Sequence, residues 1–135
     1  MDYTVSEKIQ NVFEEGAFNF ASALDSSKVI DVPNGSRAEN VSVQIYDSNN
    51  TLSQKFRAKK CGDGIYAFQC ILSGFWLGIN NSSEVVLKKG SWDAPAKDLY
   101  WKVEIDKEYF NASKTRIKAV INGKERKKWK SRECL

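Results

Sequence analysis

The chain has 135 residues, with 21 Lys and Arg against 17 Asp and Glu and a net charge of +4 at neutral pH, which suits one domain over residues 1–135. Apolar residues at 41% and aromatics at 12% suffice for a packed core and argue against disorder. The absence of histidine excludes Ser-His-Asp and Cys-His catalysis and every His-ligated metal arrangement.

Three cysteines, Cys61, Cys70 and Cys134, are too few for a four-cysteine zinc site and odd in number. A turn at Gly62-Asp63-Gly64 would set Cys70 opposite Phe56 rather than opposite Cys61, so both are read as small core residues in preference to a disulfide. No metal or cofactor is expected. No run approaches the roughly 18 apolar residues of a membrane span, and the N-terminus MDYTVSEKIQ lacks the basic-then-apolar order of a signal peptide. The expectation is an intracellular chain, or one from which a leader or larger parent has been cut.

In chain order, Ser6 as N-cap, Ile9, Val12 and Phe13 on one face, and Gly16 beyond the end predict a short N-terminal helix over 7–15. Tyr3-Thr4-Val5 has β character and offers a strand as the alternative. From there the pattern is short and two-periodic: Phe18 and Phe20, then Val29, Ile30 and Val32, then Val41, Val43 and Ile45, then Phe56. Polar turn clusters at Asp25-Ser26-Ser27, Pro33-Asn34-Gly35-Ser36 and Asp47-Ser48-Asn49-Asn50 separate these runs.

The pattern restarts at Gly64 with Ile65, Tyr66 and Phe68, then Phe75 to Ile79, Val85 to Leu87 and Leu99 to Ile105. Gly16-Ala17-Phe18-Asn19-Phe20 aligns with Gly64-Ile65-Tyr66-Ala67-Phe68, Val29 to Val32 with Trp76 to Ile79, and Gln54-Lys55-Phe56 with Leu99-Tyr100-Trp101. A four-stranded unit repeated in this way cannot bury its face alone and calls for a third. The third begins near Glu108-Tyr109-Phe110, supplies Arg116 to Ile121, an Asn122-Gly123 hairpin turn and Lys124 to Lys130, and is incomplete. The expected organisation is repeat one over 16–61, repeat two over 62–106 and a partial repeat three over 107–135, with 1–15 available to complete it.

The order Ala23-Leu24-Asp25 through Val29-Ile30-Asp31-Val32, Val43-Gln44-Ile45-Tyr46 and Gln54-Lys55-Phe56, followed by Gly62-Asp63-Gly64-Ile65-Tyr66, resembles one repeat of a ricin-type β-trefoil lectin domain and the opening of the next. The family's repeats run from Gly-x-Tyr through Leu-Asp-Val to Gln-x-Trp, and here Phe56 is the closing aromatic. The likeness covers roughly 16 to 105 and fades afterwards. It implies an all-β trefoil, a six-stranded barrel capped by three hairpins, with up to one shallow sugar site per repeat and an extracellular or cell-surface setting. Carried over residue by residue, the implied site is Asp31, Gln44, Tyr46 and Gln54, with Ser53 where the family has Asn.

The chemistry of this set is coherent. Asp31 can accept sugar hydroxyls in charge-assisted bonds, Tyr46 can cover the C–H-rich face of a ring, and Gln44 adds a donor and an acceptor. Asn49 or Asn50 can stand in for the missing Asn. Each residue also has a structural reading: Gln54 satisfying a turn, Asp31 capping the Pro33 to Ser36 turn, Tyr46 packing on the surface. In repeat two Gly78 stands in place of Asp31 and Leu99 in place of Gln54, so no sugar site is expected there. The expectation is a weak, single-site binder of galactose- or glucose-type glycan, joined to a larger parent or partner protein.

Other motifs carry less. Gly62-Asp63-Gly64-Ile65-Tyr66-Ala67 satisfies a nucleotide fingerprint in form only, because a strand and not a helix follows it. No nucleophile elbow, phosphate loop or calcium loop is present, adjacent Glu14-Glu15 cannot flank a substrate, and the chain is read as non-catalytic. Five Asn-x-Ser/Thr sequons begin at Asn40, Asn49, Asn80, Asn81 and Asn111. From Lys114 onward nine Lys and Arg face Glu125 and Glu133, which places a net +7 there and −3 elsewhere. Lys124, Arg126, Lys127, Lys128 and Lys130 therefore form a candidate anion-binding segment, the alternative function being a degenerate trefoil used as a protein-interaction or polyanion scaffold. One tryptophan among them is thin support for nucleic acid, which is not the expected partner.

Overall fold

The computed structural model describes residues 13–14, 16–22 and 25–103 with their side chains, and the backbone of 104–105, 115–121 and 124–130. Nine strands are defined among these residues: β1 (Lys28–Asp31), β2 (Gln44–Asp47), β3 (Phe56–Gly62), β4 (Ile65–Cys70), β5 (Trp76–Ile79), β6 (Val85–Lys88), β7 (Trp101–Ile105), β8 (Thr115–Ile121) and β9 (Lys124–Lys130). β1 and β2 form a two-stranded hairpin. The others form one sheet in the order β6-β5-β4-β7-β8-β9, with β3 paired to β4.

The pairing follows the repetition in the sequence. Phe18 bridges Phe56 in the first unit, and Tyr66 pairs with Trp101 in the second. Ala21 bridges Val29, and Gln69 pairs with Trp76. Asp31 stands opposite Gln44 in the β1–β2 hairpin, as Gly78 stands opposite Val86 in β5–β6. A single-turn 3₁₀ segment precedes the closing strand each time, Leu52–Gln54 before β3 and Lys97–Leu99 before β7. The segment of Phe18 and Phe20, expected as a strand, has isolated bridges at Phe18 and Ala21 instead. The helix or strand expected before Gly16, the third-unit start at Glu108 and the Asn122-Gly123 turn lie outside the described residues, Phe13 and Glu14 excepted.

Alternation along β4 divides the interior. Tyr66, Phe68 and Cys70 join the main core with Ile30, Phe56, Leu77, Leu87 and Trp101, whereas Ala67 faces a smaller cluster with Trp76 and Leu99. The main core is aromatic, with Phe68 edge-on to Phe13, Phe18 and Phe20 at centroid distances of 5.0 to 6.1 Å. Such pairs add roughly 0.5–1.5 kcal/mol each beyond their buried area.

Gly90 passes directly over the smaller cluster. A Cβ there would lie 2.6 Å from Trp76 Cδ1 and 2.7 Å from Leu99 Cδ1, and both side chains are fully enclosed. Gly90→Ala is therefore expected to lower stability by about 1–3 kcal/mol, the usual cost of overpacking. An unchanged urea midpoint would show that Trp76 moves freely.

Cys61 and Cys70 are free thiols, with Cys70 opposite Phe56 as the turn predicted. Cys70 is wholly buried, and desolvation pushes the Cys61 thiol above its usual range, which keeps it protonated and unreactive near neutral pH. In a Cys134→Ser variant, both thiols should resist iodoacetamide in the folded state and react in urea, as read by mass. Alkylation of either at the rate of a free thiol would contradict this packing.

Candidate functional site

The first hairpin builds an open cleft of about 830 Å³, within the size range of small-ligand sites. Because β1 and β2 are antiparallel, the registers Asp31↔Gln44 and Val29↔Tyr46 put Asp31, Gln44 and Tyr46 on one face. Ile30, pointing the other way, enters the main core. The strand's alternation thus anchors one face in the barrel and presents the other to the cleft.

Asp31 is 5% exposed and is held by two neighbours. Gln44 Nε2 donates to its Oδ2 at 2.8 Å, and Ser53 Oγ donates to its Oδ1 at 3.2 Å. A carboxylate has about four lone-pair sites, so two bonds fix its orientation and leave acceptor capacity toward the cleft. Tyr46 is 52% exposed and stands at the rim. Ser53, which replaces the expected Asn, therefore positions the carboxylate.

Gln54 is placed differently. It is 1% exposed, its Nε2 donates to the Asp47 carbonyl at 2.8 Å, and its Oε1 accepts from the Asn49 amide at 2.9 Å. Both ends of the side chain tie down the loop after β2, and Gln54 does not line the cleft. Within that loop, Asn49 Oδ1 accepts from Thr51 Oγ1 at 2.7 Å, and Asn49 and Asn50 do line the cleft. Lys28 and Asp47 form an ion pair at the outer end of the hairpin.

The opposite wall includes residues the sequence did not single out. The Pro33–Gly35 turn places Asn34 and Gly35 at φ of 57° and 58°, left-handed values that Asn and Gly tolerate best. Beyond it, Arg37 Nη1 donates to the Leu72 carbonyl at 2.9 Å, fastening this wall to the second unit. Arg37 and Leu72 both line the cleft. No short-range signal could reveal a contact spanning 35 residues between two units.

The corresponding position in the second unit is filled. A Cβ on Gly78 would meet Lys88 Cδ at 2.8 Å and Leu99 Cδ2 at 3.2 Å, so the Lys88 stem lies where a side chain like that of Asp31 would stand. Lys88 occupies Tyr46's register place, since it pairs with Trp76 as Tyr46 pairs with Val29, and its ammonium lies 3.5 Å from Asp98. The candidate anion-binding residues Lys124, Arg126, Lys127, Lys128 and Lys130 all stand on β9. Among the described residues no group of three or more potential metal ligands gathers, and no helix is long and apolar enough to cross a membrane.

The family model for the ricin-type beta-trefoil lectin domain-like family matches residues 8–91. No curated protein sequence matches the chain. Among solved structures, the designed 3-fold symmetric protein ThreeFoil aligns with a TM-score of 0.68 at 22% identity, covering 82% of this chain and 76% of that one. The BEL beta-trefoil aligns at 0.59 and 22% identity, covering 82% and 73%. A Polyporus squamosus lectin, solved with a human-type influenza-binding epitope, aligns at 0.63 and 12% identity, covering 82% of this chain and 38% of that one. These likenesses show the fold, an all-β trefoil. With the repeated registers and the matched span of more than half its length, the chain belongs to the ricin-type beta-trefoil lectin domain-like family.

Proposed function

We propose that the domain binds a neutral, galactose- or glucose-type glycan in the cleft of its first repeat. A lectin-type fold points to carbohydrate binding in general, and the observation that supports this cleft is the Asp31 carboxylate, buried at its floor and braced by Gln44 and Ser53. Asp31 accepts two sugar hydroxyls, Tyr46 covers the apolar face of the ring, and the Asn49–Asn50 loop supplies further polar contacts. Among the described residues Asp31 is the sole carboxylate lining the cleft, whereas glycoside hydrolysis ordinarily needs two. The reading is accordingly a binding module without a catalytic step.

The site is shallow, so water competes for each bond, and an affinity near millimolar, about 4 kcal/mol, is expected. With the second repeat's position filled, the described residues offer one site of this type, and useful avidity comes from attachment to a larger protein or from clustering. A glycan array probed with a pre-clustered form of the protein tests the proposal. Signals on neutral galacto- or gluco-type glycans are expected; an array silent for all neutral glycans would overturn it.

A further inference from the structure

The register of the last three strands brings cations together that are scattered in sequence. Lys102 on β7 stands opposite Lys118 on β8, which stands opposite Lys128 on β9. In the adjacent row Glu104, Arg116 and Lys130 are aligned in the same way. Residues directly opposite share a face, as do residues two apart on one strand. Trp101 and Val103 are buried and Lys102 is exposed, so the two rows belong to the face of β7–β8–β9 away from the core. Lys102, Arg116, Lys118, Lys128 and Lys130 thus share one face with Glu104.

Like charges directly opposite destabilise a sheet, and here Lys102↔Lys118, Lys118↔Lys128 and Arg116↔Lys130 are all like-charged. Protection of an exposed edge accounts for cations on β9, the outermost described strand of its sheet. It does not account for Lys118, whose strand is paired on both sides. We propose that this face binds an acidic polysaccharide, whose sulfate or uronate groups lie across the rows. Strand spacing sets neighbouring positions of these rows about 5 Å apart across the sheet and about 7 Å apart along it, the scale of successive sugar units. Trp129 opposes Ile117, in line with Val103, and Trp101 is buried. The aromatic positions therefore belong to the other face, and single-stranded nucleic acid, which needs rings to stack its bases, is a poorer match.

The test is a binding titration with dextran sulfate, polygalacturonate, neutral dextran and an oligothymidylate at a series of salt concentrations. The expected result is salt-sensitive binding of dextran sulfate or polygalacturonate, no salt-sensitive binding of neutral dextran, and weaker binding of the oligonucleotide at equal salt. Lys118→Gln with Lys128→Gln should lower the low-salt affinity at least about tenfold and the slope of log affinity against log salt by about 2. The paired change removes like charges from opposed positions and should preserve the thermal midpoint; Lys130→Gln alone, on the edge strand, gives a smaller loss if the double variant fails to fold. Asp31→Ala should leave polyanion binding unchanged, which separates this face from the first-repeat cleft. Unaltered dextran sulfate binding in the folded lysine variants, or tighter binding of the oligonucleotide, would overturn the proposal.

Discussion

Asp31→Ala is expected to reduce glycan binding below detection while leaving the domain folded. The carboxylate supplies charge-assisted hydrogen bonds worth roughly 1.5–3 kcal/mol each, a large share of the about 4 kcal/mol that a millimolar site provides. The cost to folding is smaller, since Gln44 Nε2 and Ser53 Oγ lose their acceptor at the floor of an open cleft where water can replace it. About 1 kcal/mol is expected there, read as a shift in the urea midpoint. Asp31→Asn refines the argument. Its single oxygen can keep the Gln44 bond and its amide can donate to Ser53, so little acceptor capacity remains for sugar hydroxyls. It should fold like the parent and bind at least about tenfold more weakly. Parent-level binding by the alanine variant would remove this cleft from the function.

How much of this site could be read in advance follows from strand geometry. Asp31, Gln44 and Tyr46 lie on short strands with a period of two, so a hairpin register was enough to put them on one face. The loss of the second site was legible for the same reason: Gly78 and Leu99 fall at aligned positions, and the structure adds Lys88 as the group that fills the space. Gln54 was legible both as a ligand-facing amide and as one that satisfies a turn, and its two bonds, to Asp47 and Asn49, follow the second reading. Arg37 and Leu72 were invisible, since their contact joins two units. The basic segment shows a further limit. Its charge was plain from composition, but a register irregularity between Ala119 and Val120 decides which cations share a face. Lys128 and Lys130 align with Lys118 and Arg116, whereas Lys127 stands opposite Ala119. One inserted residue reverses that assignment.

Trp101→Ala should damage the fold far more than Gly90→Ala or Asp31→Ala. Trp101 is 1% exposed, pairs with Tyr66 on one side and Ala119 on the other, and donates its indole N–H to the Leu77 carbonyl at 3.0 Å. It therefore joins three parts of the trefoil: the opening strand of repeat two, its β5 hairpin and the final β8–β9 hairpin. Truncating a buried tryptophan costs about 3–5 kcal/mol, and orphaning the Leu77 carbonyl adds to that. A domain of this size has roughly 5–15 kcal/mol in total, so the variant should be partly or wholly unfolded at 37 °C by far-UV circular dichroism. Trp101→Phe separates volume from hydrogen bonding, with most of the apolar contact kept and the indole N–H lost, and an expected cost of about 1–3 kcal/mol. Since Trp101 lies outside the first-repeat cleft, the phenylalanine variant should bind glycan with parent affinity wherever it is folded. A fall in its affinity at full folding would mean that the first hairpin depends on the second repeat for more than its place in the barrel, with the Arg37 bond to the Leu72 carbonyl as the physical link through which that dependence would run.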